Sequence, residues 1–270
     1  MTDILRRSFA PITDEAWKEI DLQAARALKG NLSARGLVDF SGPHGWGMAA
    51  VNLGSVRVGS SEPVKGVSWG KRETQSLIEV RAHFTLKVWE LDNVSRGGRS
   101  PNLDPMISAA RKVAIFEETS IYHGFGDGGI KGISEAASHK PVSLAGGDPD
   151  AFTEAVEAAV LALQKSGIGG PYALVLGTDP YALVKVGDPQ AYPLKKQVDA
   201  IADGGVYWSP ALQGGVLLSR RGGDFELTVG QDLSIGYKGQ DKDSVDLYFT
   251  ESFTFRVLEP AAACELKIKA

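Results

Sequence analysis

The sequence predicts a mixed α+β protein, and three observations lead to that prediction. A capped amphipathic helix spans residues 14–29, helices and strands alternate over residues 144–219, and residues 245–257 alternate apolar with polar. Both periodicities in one chain are typical of a protein that packs helices against sheets. The 270 residues favour a single elaborated domain or a discontinuous two-lobed one.

The first helix is predicted from its capping residues as well as from its period. Thr13 is a suitable N-cap, Ile12 and Trp17 have the spacing of a hydrophobic staple, and Gly30 follows the last turn. The apolar stripe that predicts one buried face consists of Trp17, Ile20, Ala24, Ala27 and Leu28.

Residues 48–80 have a different pattern, in which valines are interrupted by glycines and no helical period is present. This pattern indicates a long hairpin with little hydrophobic content of its own. Because an isolated two-stranded hairpin is marginally stable in water, we expect it to lean on another chain. An ordinary meander packed on the chain's own core is the alternative interpretation.

The remaining elements are predicted from turn residues and apolar periodicity. A second long helix covers about residues 105–123, with Asp104 as its cap and Pro105 in its first turn. Later helices are predicted over 148–167, from 179 and over 193–203, with short strands at 173–176, 206–208 and 216–218. The alternation over 245–257 predicts a long strand with one buried face.

Composition excludes several classes of function. A formal net charge of −4 gives no general attraction to nucleic acid or to an anionic membrane. Cys264 is the only cysteine, so no disulfide forms within the chain and a reducing compartment is expected. Since no segment has the pattern of a signal peptide or a membrane span, we expect a cytoplasmic protein.

The usual catalytic and metal-binding patterns are incomplete in this chain. Residues 124–129 have the glycine spacing of a dinucleotide loop, but they follow a predicted helix where that motif requires a strand. Residues 241–246 begin like a calcium loop without its sixth-position glycine, and the four histidines lack metal-ligand spacing. Glu117-Glu118 is interpreted as an ordinary feature of a helix face. We therefore expect neither an enzyme nor a metal site.

Several collinear stretches resemble the type 1 encapsulin family, also described as linocin-like. The strongest is Arg221-Gly-Gly-Asp-Phe-Glu-Leu-Thr-Val-Gly-Gln-Asp-Leu-Ser-Ile-Gly-Tyr237, and the others are residues 7–21, 38–46, 84–92, 169–172 and 251–255. Because the matches cover essentially the whole chain in order, they are far more specific than a single short motif.

The resemblance implies the Hong Kong 97-type phage capsid fold. Residues 1–47, 84–137 and 222–270 would form a discontinuous P-domain, residues 48–83 an extended E-loop, and residues 138–221 an A-domain. The implied function is structural: a shell component that self-assembles into a hollow icosahedral nanocompartment, most simply of sixty copies, around a cargo enzyme.

The cargo implied by the resemblance is a ferritin-like ferroxidase, for iron storage, or a dye-decolorising peroxidase, for oxidative stress. The alternative is a phage-derived capsid protein that packages nucleic acid, which the net charge and the lack of a basic N-terminal arm disfavour. A proteolytic or bacteriocin activity would match older names of the family but finds no catalytic constellation here.

In this family the cargo carries a C-terminal targeting peptide that docks on the inner wall. The positions that the resemblance assigns to this dock are Leu28, Arg35, Asp39, Phe40, Asp232, Ile235 and Tyr237. Such a set would form a small apolar groove with charged ends, suited to an extended peptide. Leu28, Phe40 and Ile235 as plain core residues are the alternative interpretation.

Two further features follow from the resemblance. Trp89 holds the position at which some relatives bind a flavin, FMN or FAD, with Arg81 as a companion; the alternative is a structural or interface tryptophan. The segment Asp188, Pro189, Gln190, Ala191 and Tyr192 matches the family's five-fold pore loop, where Asp188 would favour cations.

Overall fold

The structure, a computed structural model, describes residues 3–144, 148–185 and 192–269. Within these ranges the chain forms two five-stranded sheets and one two-stranded hairpin, with helices packed against the sheets. This is the predicted α+β class. No helix of the described ranges is long and apolar enough to cross a bilayer.

The described ranges contain seven helices and twelve strands. The helices are α1 (Asp14–Lys29), α2 (Val88–Ser95), α3 (Asp104–Tyr122), α4 (Ile133–Ala136), α5 (Pro149–Lys165), α6 (Thr178–Lys185) and α7 (Tyr192–Ile201). The strands are β1 (Asp39–Ser41), β2 (Ala50–Val58), β3 (Gly70–Ser76), β4 (Ile78–Lys87), β5 (Val142–Leu144), β6 (Tyr172–Leu176), β7 (Val206–Trp208), β8 (Gly215–Ser219), β9 (Phe225–Val229), β10 (Ser234–Gln240), β11 (Ser244–Val257) and β12 (Ala263–Ile268).

Helix α1 begins and ends at the predicted residues. The Thr13 hydroxyl accepts a hydrogen bond from the Ala16 backbone N–H at 3.3 Å, so the cap is formed as expected. Ala16, Ile20 and Ala24 are buried, and their face packs against α3. This packing fixes α1, and the turn that follows it, to the helix layer of the first sheet.

Strand β11 is the centre of the first sheet. It pairs antiparallel with β4 along one edge, and with β10 and then β9 along the other, while β1 extends the sheet in parallel with β9. Helices α1 and α3 cover the face that carries Leu247 and Phe249, forming one hydrophobic core. The predicted dock positions on β10, Ile235 and Tyr237, therefore lie at this core.

The prediction that β11 has one buried face is wrong, because both faces are buried. Thr250 and Thr254 are fully inaccessible although they belong to the polar half of the alternation. The side-chain amide of Gln75 on β3 donates to the Thr254 hydroxyl at 2.9 Å, and the Gln231 backbone N–H donates to the Ser252 hydroxyl at 2.8 Å. Other segments of the chain thus supply partners for the hydroxyls of Thr254 and Ser252, whereas the buried Thr250 hydroxyl has no hydrogen-bond partner among the described residues.

The second sheet has the order β5-β12-β8-β6-β7, and its central strands β6 and β8 are buried throughout. Helix α5 packs against β5, β8 and β12. It starts as predicted, because the Asp148 carboxylate accepts from the Asp150 backbone N–H at 3.1 Å. Cys264, on β12, is fully buried in this sheet.

Two boundaries of the three predicted regions differ from the sheets that the structure shows. Residues 78–83, assigned to the extended loop, already pair with β11 as the first part of β4. Strand β12, assigned to the region of the first sheet, pairs with β5 and β8 of the second sheet. A short strand carries its own periodicity in the sequence but not the identity of its neighbours, so neither boundary was readable there.

The hairpin of β2 and β3 has almost no core of its own. Val51 is its buried apolar residue, whereas Val56, Val58 and Trp69 are 54%, 72% and 48% exposed. Glycines leave room for close side-chain packing: a Cβ at Gly59 would overlap the Trp69 ring. The alternative of a meander packed on its own core does not describe this hairpin, whose apolar side chains face outward.

Two glycine- and aspartate-rich motifs are turns. Residues 126–128 form a single 3-10 turn after α3, with Gly129 at a φ of 69°, and no strand precedes them directly. Asp241 lies between β10 and β11, where its carboxylate accepts from the backbone N–H groups of Asp243 and Ser244. These contacts are those of an Asx-type turn, consistent with the missing sixth-position glycine of a calcium loop.

Candidate functional site

Arg35 is the centre of the predicted dock, and it joins four separate segments of the chain. It lies in the 3-10 turn Ala34–Gly36, shortly after α1. Its guanidinium pairs with Glu117 on α3 at 2.7 Å, with Asp232 between β9 and β10 at 2.8 Å, and with Glu251 on β11. A planar fork of five donors is suited to holding several carboxylates in fixed directions.

The apolar dock positions differ in burial, and Phe40 is the one that lies against this guanidinium. Ile235 is buried against the core of α1, α3 and β11, while Leu28 and Tyr237 are half-buried at its margin. Phe40 is 39% exposed, and the guanidinium carbon of Arg35 lies 5.5 Å from its ring centroid, within cation–π range. The core interpretation therefore describes Ile235 but not Phe40, whose ring faces outward.

The edge of the dock is formed by β10. The Tyr237 backbone N–H donates to the Leu5 carbonyl at 2.8 Å, so the segment before α1 lies along this strand edge. Covering an edge strand in this way removes a free row of hydrogen-bonding groups. The predicted dock positions on β10 are thus bordered by the segment that precedes α1.

Asp39 does not join the other six predicted positions. Neighbouring residues on a strand point to opposite faces, so Asp39 and Phe40 diverge from β1. The Asp39 carboxylate instead accepts from the Gly223 backbone N–H at 2.6 Å. Gly222 and Gly223 both have left-handed backbone angles, with φ of 83° and 80°, and Asp39 stabilises their turn. Asp232 is the carboxylate that borders the dock.

The structure adds three buried carboxylates that the sequence interpretation missed. Glu117, Glu118 and Glu251 are all fully inaccessible, although Glu117-Glu118 was interpreted as an ordinary helix-face pair. A signal was present in the sequence: Glu117 falls on the apolar face of α3, and Glu251 falls in the apolar half of β11. A charged residue in a hydrophobic register implies a buried partner.

Glu118 has a complete set of hydrogen-bond donors. It accepts from the Ser33 hydroxyl at 2.6 Å, the Ala34 backbone N–H at 2.8 Å and the Ser209 hydroxyl at 2.6 Å. Burial raises the pKa of Glu118, and these hydrogen bonds act in the opposite direction. Burial also raises the pKa of the Tyr122 hydroxyl, whose oxygen lies 2.9 Å from the Ser33 hydroxyl.

Arg35 and Glu251 respond to burial in different ways. Burial alone would lower the pKa of the Arg35 guanidinium, but its hydrogen bond with Glu117 and the three nearby carboxylates raise it, so the guanidinium stays charged. Burial, followed by the negative charge of Glu117, raises the pKa of Glu251 well above its usual range against the attraction of Arg35. Arg35, Glu117, Asp232 and Glu251 thus form a network of charged groups, which we call the joint. The partly exposed ring of Phe40 lies on one side of it.

Trp89 and Arg81 are not brought together within the chain. Trp89 is 68% exposed on α2, and its ring lies 5.3 Å from the guanidinium carbon of Arg96. Arg81, on β4, pairs with Glu79 at 2.8 Å and lies over the Tyr248 ring. The exposed indole is a platform on which a flat ring can stack, and in one chain Arg96 is its cationic neighbour.

The predicted pore residues Asp188, Pro189, Gln190 and Ala191 lie outside the described residues, and Tyr192 is the first residue of α7. The described ranges contain no group of three His, Cys, Asp or Glu side chains arranged to hold a metal ion. The acidic cluster at Arg35 is bound by its own guanidinium.

Comparison with known proteins agrees with the architecture. Residues 1–254 match the family described as "Encapsulating protein for peroxidase". A type 1 encapsulin shell protein of Rhodospirillum rubrum is 43% identical over 99% of this chain and 97% of its own length. One of Mycolicibacterium paratuberculosis is 38% identical over 97% of this chain and 98% of its own length.

A solved structure gives the same answer for the fold. A virus-like particle from Pyrococcus furiosus superposes with a TM-score of 0.62 at 16% identity, covering 93% of this chain and 98% of that one. The predicted phage capsid fold is therefore confirmed. Taken with the nearly full-length relatives, the chain belongs to the family of type 1 encapsulin shell proteins, whose role is structural and not catalytic.

Proposed function

We propose that this shell protein encloses a cargo protein by binding its C-terminal targeting peptide at the dock, defined as Leu28, Arg35, Phe40, Asp232, Ile235 and Tyr237. The observation that supports it most is Phe40, an aromatic ring exposed beside a buried charge network. An exposed ring, a half-buried leucine and a bordering carboxylate suit an extended peptide with apolar residues and a cation.

Assembly into a closed particle is supported by the hairpin. Its outward valines and Trp69 need a neighbouring surface, since exposed apolar clusters on one chain usually mark an interface. We propose a closed icosahedral particle of sixty copies, located in the cytoplasm. Electron microscopy of the purified chain tests this: uniform hollow particles are expected, and discrete small oligomers would contradict the assembly.

The proposed cargo is a dye-decolorising peroxidase or a ferritin-like ferroxidase. The description of the matching family names a peroxidase, which favours the first. A phage-like capsid would instead package nucleic acid, and the net charge of −4 disfavours this. The ratio of absorbance at the nucleic-acid wavelength to that at the protein wavelength distinguishes a cargo shell from a nucleic-acid capsid. A capsid filled with nucleic acid gives a much higher ratio than a shell that holds only protein.

Cargo docking is tested by loading a fluorescent protein fused to the C-terminal tail of a dye-decolorising peroxidase or of a ferritin-like ferroxidase. Phe40→Ala should reduce the loaded fraction several-fold, because it removes the exposed ring without opening the buried core. Phe9→Ala, at an aromatic residue that is 72% exposed outside the dock, is the matched control. Equal loading in both variants would contradict docking at Phe40.

Flavin binding is proposed at Trp89 alone, since Arg81 is bound to Glu79 and Tyr248 in the same chain. The indole of Trp89 is 68% exposed, which gives a stacking surface against which an isoalloxazine ring would lie. Titrating FMN into assembled particles should quench FMN fluorescence, and Trp89→Ala should abolish that quenching. Unchanged quenching in the variant would exclude this residue.

A further inference from the structure

The carboxylates beneath the dock outnumber their cation. Arg35 pairs with Glu117, Asp232 and Glu251, so one positive charge faces three negative ones when all are ionised. Glu117 and Glu251 are fully buried, while Asp232 is 40% exposed. Water can solvate the charge of Asp232, but two buried negative charges on one guanidinium are poorly compensated.

The hydrogen bonds show which of the two buried carboxyl groups, Glu117 or Glu251, lacks the donors that an ionised carboxylate needs. Glu117 receives a two-pronged interaction from Arg35, with Nε donating to Oε1 at 2.9 Å and Nη2 to Oε2 at 2.7 Å. Glu251 receives Arg35 through Oε1, and its buried Oε2 has no hydrogen-bond partner among the described residues. Glu118, by contrast, has three donors. A buried oxygen without a donor is unfavourable for a carboxylate but usable as an O–H.

We propose that Glu117 and Glu251 share one proton at neutral pH, and that this proton holds Arg35 in the position that the dock requires. The proton resides on Glu251, whose pKa burial and the charge of Glu117 raise. Glu251 is then a neutral acid, Glu117 and Asp232 are anions, and the excess negative charge of the group falls from two to one. Glu251 and Glu117 act as positioning residues, because they reach the dock only through Arg35.

The charged groups that face Glu251 are few, so the titration can be assigned. From α3 this is Glu117, while the adjacent Glu118 and Tyr122 bond to Ser33 instead; the other two are Arg35 and Asp232. On β4 the residue paired with Glu251 is Val80, and the charged neighbours Glu79, Arg81 and His83 alternate to the opposite face. On β9, Glu226 pairs with Arg256 on that opposite face as well.

Loss of the shared proton should loosen the dock. Two buried anions would repel each other at the contact between α3 and β11, and water entering to solvate them would displace Arg35 from beneath Phe40. Peptide binding should therefore weaken as the pH rises. Glu251→Gln replaces the carboxyl with a neutral group of the same shape, so it should keep docking but lose the dependence on pH.

The proton itself is tested without any peptide. Infrared spectra of assembled wild-type particles at neutral pH should contain the carbonyl stretch of a neutral carboxylic acid, which disappears on alkaline titration. Glu251→Gln should lack this band. Glu79→Gln, on the opposite face of the same sheet, is the matched control and should retain it. A neutral-pH band absent from the wild type, or unchanged in Glu251→Gln, would overturn the shared proton.

The link to docking rests on the proposed function and has its own readout. A fluorescein-labelled synthetic peptide, with the C-terminal sequence of the dye-decolorising peroxidase or ferritin-like ferroxidase used in the loading test, is titrated into particles at neutral and alkaline pH. Affinity should fall about tenfold for each pH unit beyond the titration point in the wild type, and stay within about twofold in Glu251→Gln. Identical pH profiles in both would overturn the link.

The two failures can be told apart. No peptide binding at any pH would contradict the proposed dock while leaving the infrared result to decide on the proton. If Glu251→Gln fails to assemble, Glu117→Gln removes the other member of the pair and carries the same expectations. The inference is supported if either glutamine variant binds the peptide equally well at neutral and alkaline pH while Glu79→Gln keeps the pH dependence of the wild type.

Discussion

The hairpin of β2 and β3 and the joint around Arg35 reverse the usual distribution of polar and apolar groups. The hairpin exposes Val58 and Trp69 to solvent, while the joint buries Glu117 and Glu251 beyond the reach of water. An apolar surface can be covered by a neighbour after folding, but a buried charge must be compensated as the chain folds. The apolar surface of the hairpin should therefore be covered only on assembly, whereas the joint must form when each subunit folds.

Two arginine–glutamate pairs make the comparison quantitative. Arg57 and Glu73 on the hairpin lie 2.8 Å apart and Arg35 and Glu117 lie 2.7 Å apart, so their geometry is nearly the same. The Arg57 side chain is 79% exposed and that of Glu117 is fully buried. Solvent exposure, and not the distance between the charged groups, should therefore decide how much each pair contributes to the free energy of unfolding.

The largest effect is expected at the joint. Arg35→Ala leaves Glu117 and Glu251 buried without their cation, which should cost about 3–5 kcal/mol in the free energy of unfolding. Arg81→Ala removes a half-exposed guanidinium from the same sheet and serves as control. Thermal unfolding of the particles measures both, and equal midpoints for the two variants would break the distinction between joint and surface.

Charged substitutions in the hairpin should prevent assembly of the particle without preventing folding of the subunit. Val56→Asp with Val58→Asp places charges on an apolar surface that a neighbour must cover, and each lost valine contact removes about 1.5 kcal/mol or more per copy. Size-exclusion chromatography should show unassembled subunits, whose far-ultraviolet circular dichroism is that of the native fold. Val56→Ile with Val58→Ile keeps the surface apolar and should still assemble; failure of both pairs alike would contradict the argument.

The joint, but not the hairpin, should make the stability of the subunit depend on pH through Glu251. A carboxyl whose folded pKa is raised binds a proton in the folded state that the unfolded state has released, so its contribution is complete at acidic pH and is lost as the pH rises. Thermal midpoints of wild type and Glu251→Gln should therefore diverge as the pH rises above the ordinary glutamate pKa, with the variant the more stable at the alkaline end. A constant difference would count against a titrating Glu251.

The smallest effect is expected for the exposed pair. Glu73→Gln removes its charge from Arg57, and solvent already screens that interaction. Hydrogen bonds from Ser55 and Arg57, together with the charge of Arg57, lower the pKa of Glu73, but the Glu73 side chain is 34% exposed and its partner Arg57 is 79% exposed. The thermal midpoint of the particles should not change measurably; a drop comparable with that of Arg35→Ala would remove the distinction.

Local signals predicted much of the fold. The Thr13 and Asp148 caps placed the starts of α1 and α5, and the alternation near the end of the chain placed β11. These signals act within a few residues, so one sequence contains them completely. The start of α3 was less accurate: Asp104 lies inside the helix, and Leu103 occupies the capping position without a side-chain bond.

The rest depended on partners distant in sequence. The burial of the Thr254 hydroxyl depends on its bond with Gln75, and the membership of β12 in the second sheet depends on β8; neither partner can be read from the sequence of β11 or β12 itself. Asp39 was assigned to the dock by position, whereas its bond to Gly223 depends on a turn 184 residues away. The buried pair Glu117 and Glu251 was readable as two charges in apolar registers, but not as one site.

The burial of Cys264 has a practical consequence for labelling chemistry. Burial raises the pKa of its thiol and keeps it inaccessible, so the natural chain presents little reactive sulfur to an alkylating reagent. A cysteine introduced at an exposed hairpin position such as Val58 would then be the single site that takes a dye or a cross-linker. The wild-type background can therefore report which surfaces meet between neighbouring subunits, without first removing a native thiol.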